Sequence, residues 1–157
     1  MVVILGILAV LAIPQLSRAA APDAGAVLAR NLKVLRLASE RYRQDHGVFP
    51  AQTGDGVHAA GSEAAFVAQL TRYTDAQGRA SDTQDSVHCF GPYLRDGIPP
   101  SPIPPHEGSS GVHMLTGSAP LTFEPEAVAG WVYNCDTGGI APNTDAADAT
   151  GRSYASY

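Results

Sequence analysis

The sequence predicts an α+β fold: a long N-terminal helix packed on a small antiparallel β-sheet head, with a second short helix. Three observations carry this. Residues 24–46 repeat apolar side chains at helical spacing, behind a start in which residues 1–13 are apolar or glycine throughout. Sixteen glycines and twelve prolines, most of them after residue 46, point to a loop-rich second half with short strands. Towards the end of the chain, short runs rich in Val, Trp, Tyr and Phe alternate with Gly, Asp and Pro.

At 157 residues the chain fits one domain and a tail, and 45% hydrophobic with 16% charged residues argues against wholesale disorder. The net charge of −5 is unevenly spread. Residues 1–46 carry Arg18, Arg30, Lys33, Arg36, Arg41 and Arg43 against Asp23, Glu40 and Asp45. Residues 47–157 carry four basic and twelve acidic groups. A basic rod on an acidic head can pair head to rod between copies, or lie against anionic lipid; ordinary solvated helix charge explains it equally well. No basic patch with interleaved aromatics is present, so no nucleic-acid partner is expected.

The first segment, residues 1–22, begins MVVILGILAVLAIPQLSRAA. An export signal would place Lys or Arg before the apolar run, and none is there. A membrane span would need more length: thirteen residues at about 1.5 Å each reach only about 20 Å, against a hydrocarbon core of about 30 Å. A buried core helix would show a polar edge. Pro14 and Pro22 are expected to kink the rod.

Residues 23–46 read as the amphipathic continuation. Leu28, Leu32, Leu35, Ala38 and Tyr42 form one stripe, widened by Val27, Val34 and Leu37, with Lys33, Arg36, Glu40 and Arg43 largely off it. Leu28, Leu32, Leu35 and Tyr42 are the expected contacts between helix and head. Gly47 fits a left-handed C-terminal cap, and Pro50 bars continuation.

Residues 47–144 make up the head. Ser62 is placed to cap a second helix of about twelve residues, with Ala65, Phe66, Gln69, Leu70 and Tyr73 at helical spacing. RASDTQDS reads as a loop. Tyr93 and Leu94 suit a single helical turn or an edge against the first helix, and IPPSPIPPHEG an extended connector. GVHMLT, LTFEP and GWVYNC read as strands, and IAPN can pair back on WVYNC across the DTGG turn, with Trp131 and Tyr133 on one face. The tail, residues 145–157, is small and polar and is expected to fray.

These residues resemble the type IV pilin family, and more specifically the pseudopilins of type II secretion systems. The Gly-Ile-Leu-Ala turn of that family is matched by Gly6, Ile7, Leu8 and Ala9, its kinking proline by Pro14, and its helix-end signature by Tyr42, Gly47, Phe49 and Pro50. GPYLRDGIPPSPI resembles the stretch leading from second helix to sheet, and GWVYNCDTGGIAPNT the last hairpin of major-pseudopilin-like proteins. The resemblance implies that Val2, Val3, Ile4, Leu5, Gly6, Ile7, Leu8, Leu11 and Pro14 belong to a helix that sits in the inner membrane and later in a filament, with a periplasmic head. It implies a non-enzymatic subunit whose partners are its own copies, other pseudopilins, an inner-membrane assembly platform, membrane lipid before assembly and, indirectly, secreted cargo.

The family also has a basic leader, a cleaved glycine, a methylated phenylalanine and a glutamate ahead of the apolar block. This sequence shows none of them, so Met1 is expected to be an internal start or a fragment boundary. Roughly eight mature residues, about 12 Å of helix, would restore a reach of about 32 Å. A minor type IV pilin or a DNA-uptake pilin would share the same helix. A secreted binding or enzymatic domain behind an atypical signal peptide is the alternative of another class.

Chemical motifs are sparse. The five histidines show no helix-ligand spacing, and EGSSG lacks the G-x-S-x-G pattern of a nucleophile elbow. Glu124 and Glu126 flank a proline, as loop carboxylates commonly do. Cys89 and Cys135 would suit one disulfide in an exported chain, closing roughly 45 residues for about 3–4 kcal/mol, or remain two buried thiols. Asp136, Asn143, Asp145 and Asp148 offer oxygen ligands near the last hairpin, where calcium is one reading and turn formation the other. Major pseudopilins hold calcium in a C-terminal loop, which the resemblance extends to these four residues; no other cofactor is expected.

Overall fold

The computed structural model describes residues 23–157. Its first element is helix α1, Ala24–His46. Asp23 caps it by accepting the Gly25 N–H at 3.1 Å, which satisfies one of the donors that a helix start leaves open. Gly47 ends it at φ 75, where its N–H returns to the Arg43 carbonyl. Leu28, Leu32, Leu35, Ala38, Ser39 and Tyr42 are buried, so the stripe at spacings of three and four faces the head. Val34 and Leu37 do not widen it: they are 42% and 49% exposed, because they lie round the helix from Leu32 and Leu35.

Helix α2, Glu63–Thr71, follows a coiled stretch and is shorter than the spacing predicts. Ser62 caps it through the Ala65 N–H at 3.2 Å. Arg72 turns extended, and the next residues enter a two-stranded hairpin absent from the sequence reading: β1, Tyr73–Thr74, antiparallel to β2, Ala80–Ser81. Tyr93 and Leu94 form an edge and not a helical turn, since both backbone N–H groups donate to the Leu70 carbonyl at the end of α2. The proline-rich connector is irregular, pinned by Trp131 Nε1 on the Pro99 carbonyl at 2.8 Å.

The main sheet has three strands in the order β3, β4, β5: Val112–Leu115, Trp131–Asn134 and Ile140–Pro142. β4 and β5 form the expected antiparallel hairpin, with Val132 opposite Ala141. β3, however, runs parallel to β4, with Val112 opposite Trp131, so the sheet is mixed and not antiparallel. The physical reason is the connection: residues 116–130 are long enough to return to the other end of the sheet, as a parallel pair requires.

LTFEP, expected as a strand, lies in this connection and joins no sheet. Its backbone partners are side chains instead. Asn143 Oδ1 accepts from the Glu124 N–H at 2.8 Å, and Asn143 Nδ2 donates to the carbonyls of Glu124, Ala127 and Ala129. Asn134 Nδ2 donates to Gly117 and Ala119 in the same way.

β4 is buried on both faces. The core joins the α1 stripe to Phe66 and Leu70 of α2, Trp131 and Tyr133 of β4, and Ile140 of β5. Phe66 and Tyr133 meet with ring centroids 4.4 Å apart. Burying each such large side chain contributes about 1.5–3 kcal/mol, so the α1 stripe and the head side chains packed on it together supply the cohesion of the head.

The tail, expected to fray, lies against the head. Ala147 bridges Ser153, a 3-10 turn covers Tyr154–Ser156, and Arg36 of α1 donates to the Tyr157 carbonyl at 3.1 Å. Among the described residues no helix is long and apolar enough to cross a membrane. Val2, Val3, Ile4, Leu5, Gly6, Ile7, Leu8, Leu11 and Pro14 lie outside the described residues.

Candidate functional site

Two surfaces and two polar clusters hold the groups from which function can be built. The first surface is the outer face of α1. Arg30, Lys33, Val34, Leu37 and Arg41 are all exposed and fall on one stripe at helical spacing, opposite the leucines that enter the core. Beside it, a hollow is lined by Arg30, Val34, Tyr93, Leu94, Ile98 and Pro99.

The second surface is made by a turn that occurs twice, Asp55-Gly-Val-His58 and Asp85-Ser-Val-His88. In each, one aspartate oxygen accepts the N–H of the valine and of the histidine, at 2.9 and 2.6 Å in the first turn and 2.8 and 2.6 Å in the second. The histidine Nδ1 closes on the same carboxylate at 2.7 Å in the first, and at 3.1 Å in the second. The two turns bracket the β1–β2 hairpin: the Ala80 N–H donates to the Asp55 carbonyl, and Thr74 exchanges both backbone bonds with Phe90. Between them Arg79 Nε meets the buried Asp75 at 2.6 Å.

Val57 and Val87 therefore project from fixed turns on either side of one groove, 83% and 54% exposed. Sequence reasoning missed this pair. The available signal was the Asp-x-Val-His repeat, with its aspartate two and three residues ahead of the donors that an Asx turn needs.

The aspartates here are structural. Burial pushes the Asp55 carboxyl up, but the His58 side chain and the backbone N–H groups of His58 and Val57 reverse this and leave it below the ordinary range. Asp75 behaves likewise through the backbone and side chain of Arg79 and the Gln77 N–H. Asp85 is lowered to about 2, chiefly by the His88 backbone N–H. All three stay ionised and occupied at neutral pH, which suits turn construction and not proton transfer.

The first polar cluster lies where the end of α1 meets β1. His46 Nε2 stands 3.1 Å from both Tyr93 Oη and Thr74 Oγ1, and Tyr93 donates to Asp45 at 2.8 Å. His46 packs on Tyr42 at 4.1 Å and edge-on to Phe90 at 5.1 Å. Burial is the main influence on this imidazole and pulls its pKa down. The second cluster is inside the head, where Gln69 bonds the backbone of Ala51, Thr53 and Gly78.

Neither reading of the cysteines holds as given, since both are free but only one is buried: Cys89 is exposed and Cys135 is not. Burial pushes the Cys135 thiol up, so it favours the protonated form. The four oxygen ligands considered for calcium are not joined into one site. Asp136 sits at the β4–β5 turn, taking the Gln52 side chain and the Gly117 N–H. Asn143 is committed to the 124–129 loop. Asp148 holds its own turn through Thr150 and Arg152 and accepts the Tyr157 hydroxyl at 2.8 Å. Among the described residues no three His, Cys, Asp or Glu side chains stand close enough to hold a metal ion.

By contrast, all four expected helix contacts, Leu28, Leu32, Leu35 and Tyr42, converge on one core. The hydrophobic stripe is thus the part of the sequence reading that the geometry brings together. No protein-family model, no curated protein and no solved structure matches this chain.

Proposed function

We propose that this chain is a structural subunit of a pilin-like filament, of the kind that forms the periplasmic pseudopilus of type II protein secretion. One observation carries the reading above the others. The head is clamped along one stripe of a 23-residue helix, and the chain ahead of that helix is apolar over residues 1–13. A rod that gives one face to a head and begins in apolar residues suits two solvents in turn, lipid before assembly and sister helices afterwards.

Moving an apolar helix from lipid into a bundle of such helices gains little from the hydrophobic effect. The association must draw on packing, hydrogen bonding and charge. The head would then stay outside the bundle, in the periplasm, and the subunit would meet its own copies, related subunits and an inner-membrane assembly platform.

The coding stretch directly upstream of Met1 tests this. A basic leader, a glycine, a phenylalanine and a glutamate in frame are the expected result. A stop codon in frame beside Met1 overturns the reading.

A further inference from the structure

We propose that His46 is a proton-sensitive clasp: neutral, it holds both legs of an arm, residues 72–93, to the end of α1, and protonated it lets the neck of that arm open. The arm leaves the body where α2 ends and returns at Tyr93, whose N–H donates to the Leu70 carbonyl. At the neck the two legs are joined by Thr74 and Phe90, which exchange both backbone hydrogen bonds. His46 touches each leg. Its Nε2 is 3.1 Å from Thr74 Oγ1 on the outgoing leg and 3.1 Å from Tyr93 Oη on the returning one. Its ring also stands edge-on to Phe90.

The hydrogen bonds fix which ring nitrogen carries the proton. Tyr93 gives its one hydroxyl proton to Asp45 at 2.8 Å, so towards His46 it can only accept. The neutral ring therefore holds its proton on Nε2. Nδ1 is then a bare lone pair, buried and without a hydrogen-bond partner. A second proton has to go there, and it turns a tolerable orphan acceptor into a charged N–H shut away from water.

The groups packed round the ring do not remove this cost. Asp45, on α1 itself, is shared with Tyr93, and Asp75, directly after β1, is already paired with Arg79 at 2.6 Å. Tyr42 of α1 and Tyr93 of the returning leg stay uncharged, both pushed up chiefly by burial. The Ala76 backbone, Asp45 and Asp75 favour the charged ring, but burial outweighs all three. An imidazole released into water meets no such penalty, so acid below the ordinary 6.5 draws the equilibrium towards the released ring.

Opening stays at the neck because other contacts hold the rest of the arm. Gln69 Nε2 holds the Gly78 carbonyl in the hairpin turn, and the Ala80 N–H donates to the Asp55 carbonyl beside β2. Neither contact involves His46. Once the ring leaves, the Thr74 hydroxyl and the Phe90 ring each lose a neighbour, and their backbone pair stands without cover. The leucine core of α1 does not include His46 and remains closed. The clasp belongs to the head alone and stands whether or not the chain enters a filament.

The test is amide hydrogen exchange by NMR on the full chain in detergent micelles, at pH 7 and pH 5.5, corrected for the intrinsic pH dependence of exchange. Protection of the Thr74 and Phe90 amides is expected to fall about fivefold at the lower pH, while Ala80 and Tyr133 keep theirs. The fall should follow the titration midpoint of the His46 imidazole in the same sample, and that midpoint should lie below 6.5. His46→Gln keeps an N–H donor towards Tyr93 but cannot titrate, and is expected to abolish the step. His88→Gln removes the arm's own histidine and is expected to keep it.

Equal loss of protection at Ala80 and Tyr133 overturns the proposal, as does a step that survives His46→Gln or vanishes with His88→Gln. Should His46→Gln not fold, the unsubstituted chain still decides: neck protection that ignores the His46 midpoint, or a midpoint at or above 6.5, overturns it equally.

Discussion

Gln69 holds the backbone of Ala51, whose N–H donates to its Oε1 at 2.6 Å inside the core. Ala51 sits at φ 62, a left-handed conformation that costs a residue with a Cβ about 1 kcal/mol. The same amide donates to the Thr53 and Gly78 carbonyls, so three loops converge on one side chain. Gln69→Leu keeps the volume and strands three backbone groups, and is expected to lower unfolding free energy by about 3 kcal/mol. Urea unfolding of the two chains measures it; a loss below about 1 kcal/mol would show that the amide is not the keystone of these loops.

Two buried tyrosines differ in one respect that mutation can expose. Tyr133 Oη pairs with Ser39 Oγ at 3.2 Å, whereas the Tyr42 hydroxyl is closed off without a hydrogen bond of good geometry. Tyr133→Phe strands the buried Ser39 and is expected to cost about 1 kcal/mol. Tyr42→Phe removes an unpaired polar atom and is expected to leave stability unchanged or raise it by up to about 1 kcal/mol. Equal losses from the two changes would contradict the assignment.

Acid sensitivity begins at His46. Folding buries its imidazole and lowers its pKa from the ordinary 6.5, so the neutral form is favoured in the folded chain. The resulting stability is complete above 6.5 and is lost as pH falls from there through the folded pKa. Asp55 and Asp75, lowered from 3.8, add a second loss only below that value. Calorimetry is expected to show Tm falling between pH 7 and pH 5.5. His46→Gln should flatten that limb, and an unchanged slope in the variant would assign it elsewhere.

The cysteines can be counted directly. Cys89 is expected to react with a thiol reagent in the folded protein, and Cys135 only after denaturation. Two reactive thiols in the folded state, or none without a reductant, would refute this arrangement.

The helix stripe was legible in the sequence because a period of 3.6 is a local property, written in Leu28, Leu32, Leu35 and Tyr42 themselves. The Ser62 and Gly47 caps were legible for the same reason, and so was the β4–β5 hairpin with its short turn. The parallel partner of β4 was not. It depends on how a 15-residue connection travels, and nothing within GVHMLT or GWVYNC records direction. LTFEP misled because strand-like composition says nothing about the distant Asn143, whose amide takes the backbone N–H and carbonyl of Glu124. Nothing in the sequence reading singles out Val57 or Val87, and only the closing of the Asx turns shows that they face outward.

The connection between β3 and β4 has a consequence for severing the chain. Asn134 and Asn143 grip its backbone from the sheet side, while Val128 near its end stands clear of the surface. A single proteolytic nick there would leave two fragments held by the β3–β4 pairing, the two amide side chains and the core that Trp131, Tyr133 and Ile140 share with α1, so the cut product can stay assembled. Released into denaturant, however, the same fragments must find one another by diffusion, and refolding would become concentration-dependent where that of the intact chain is not.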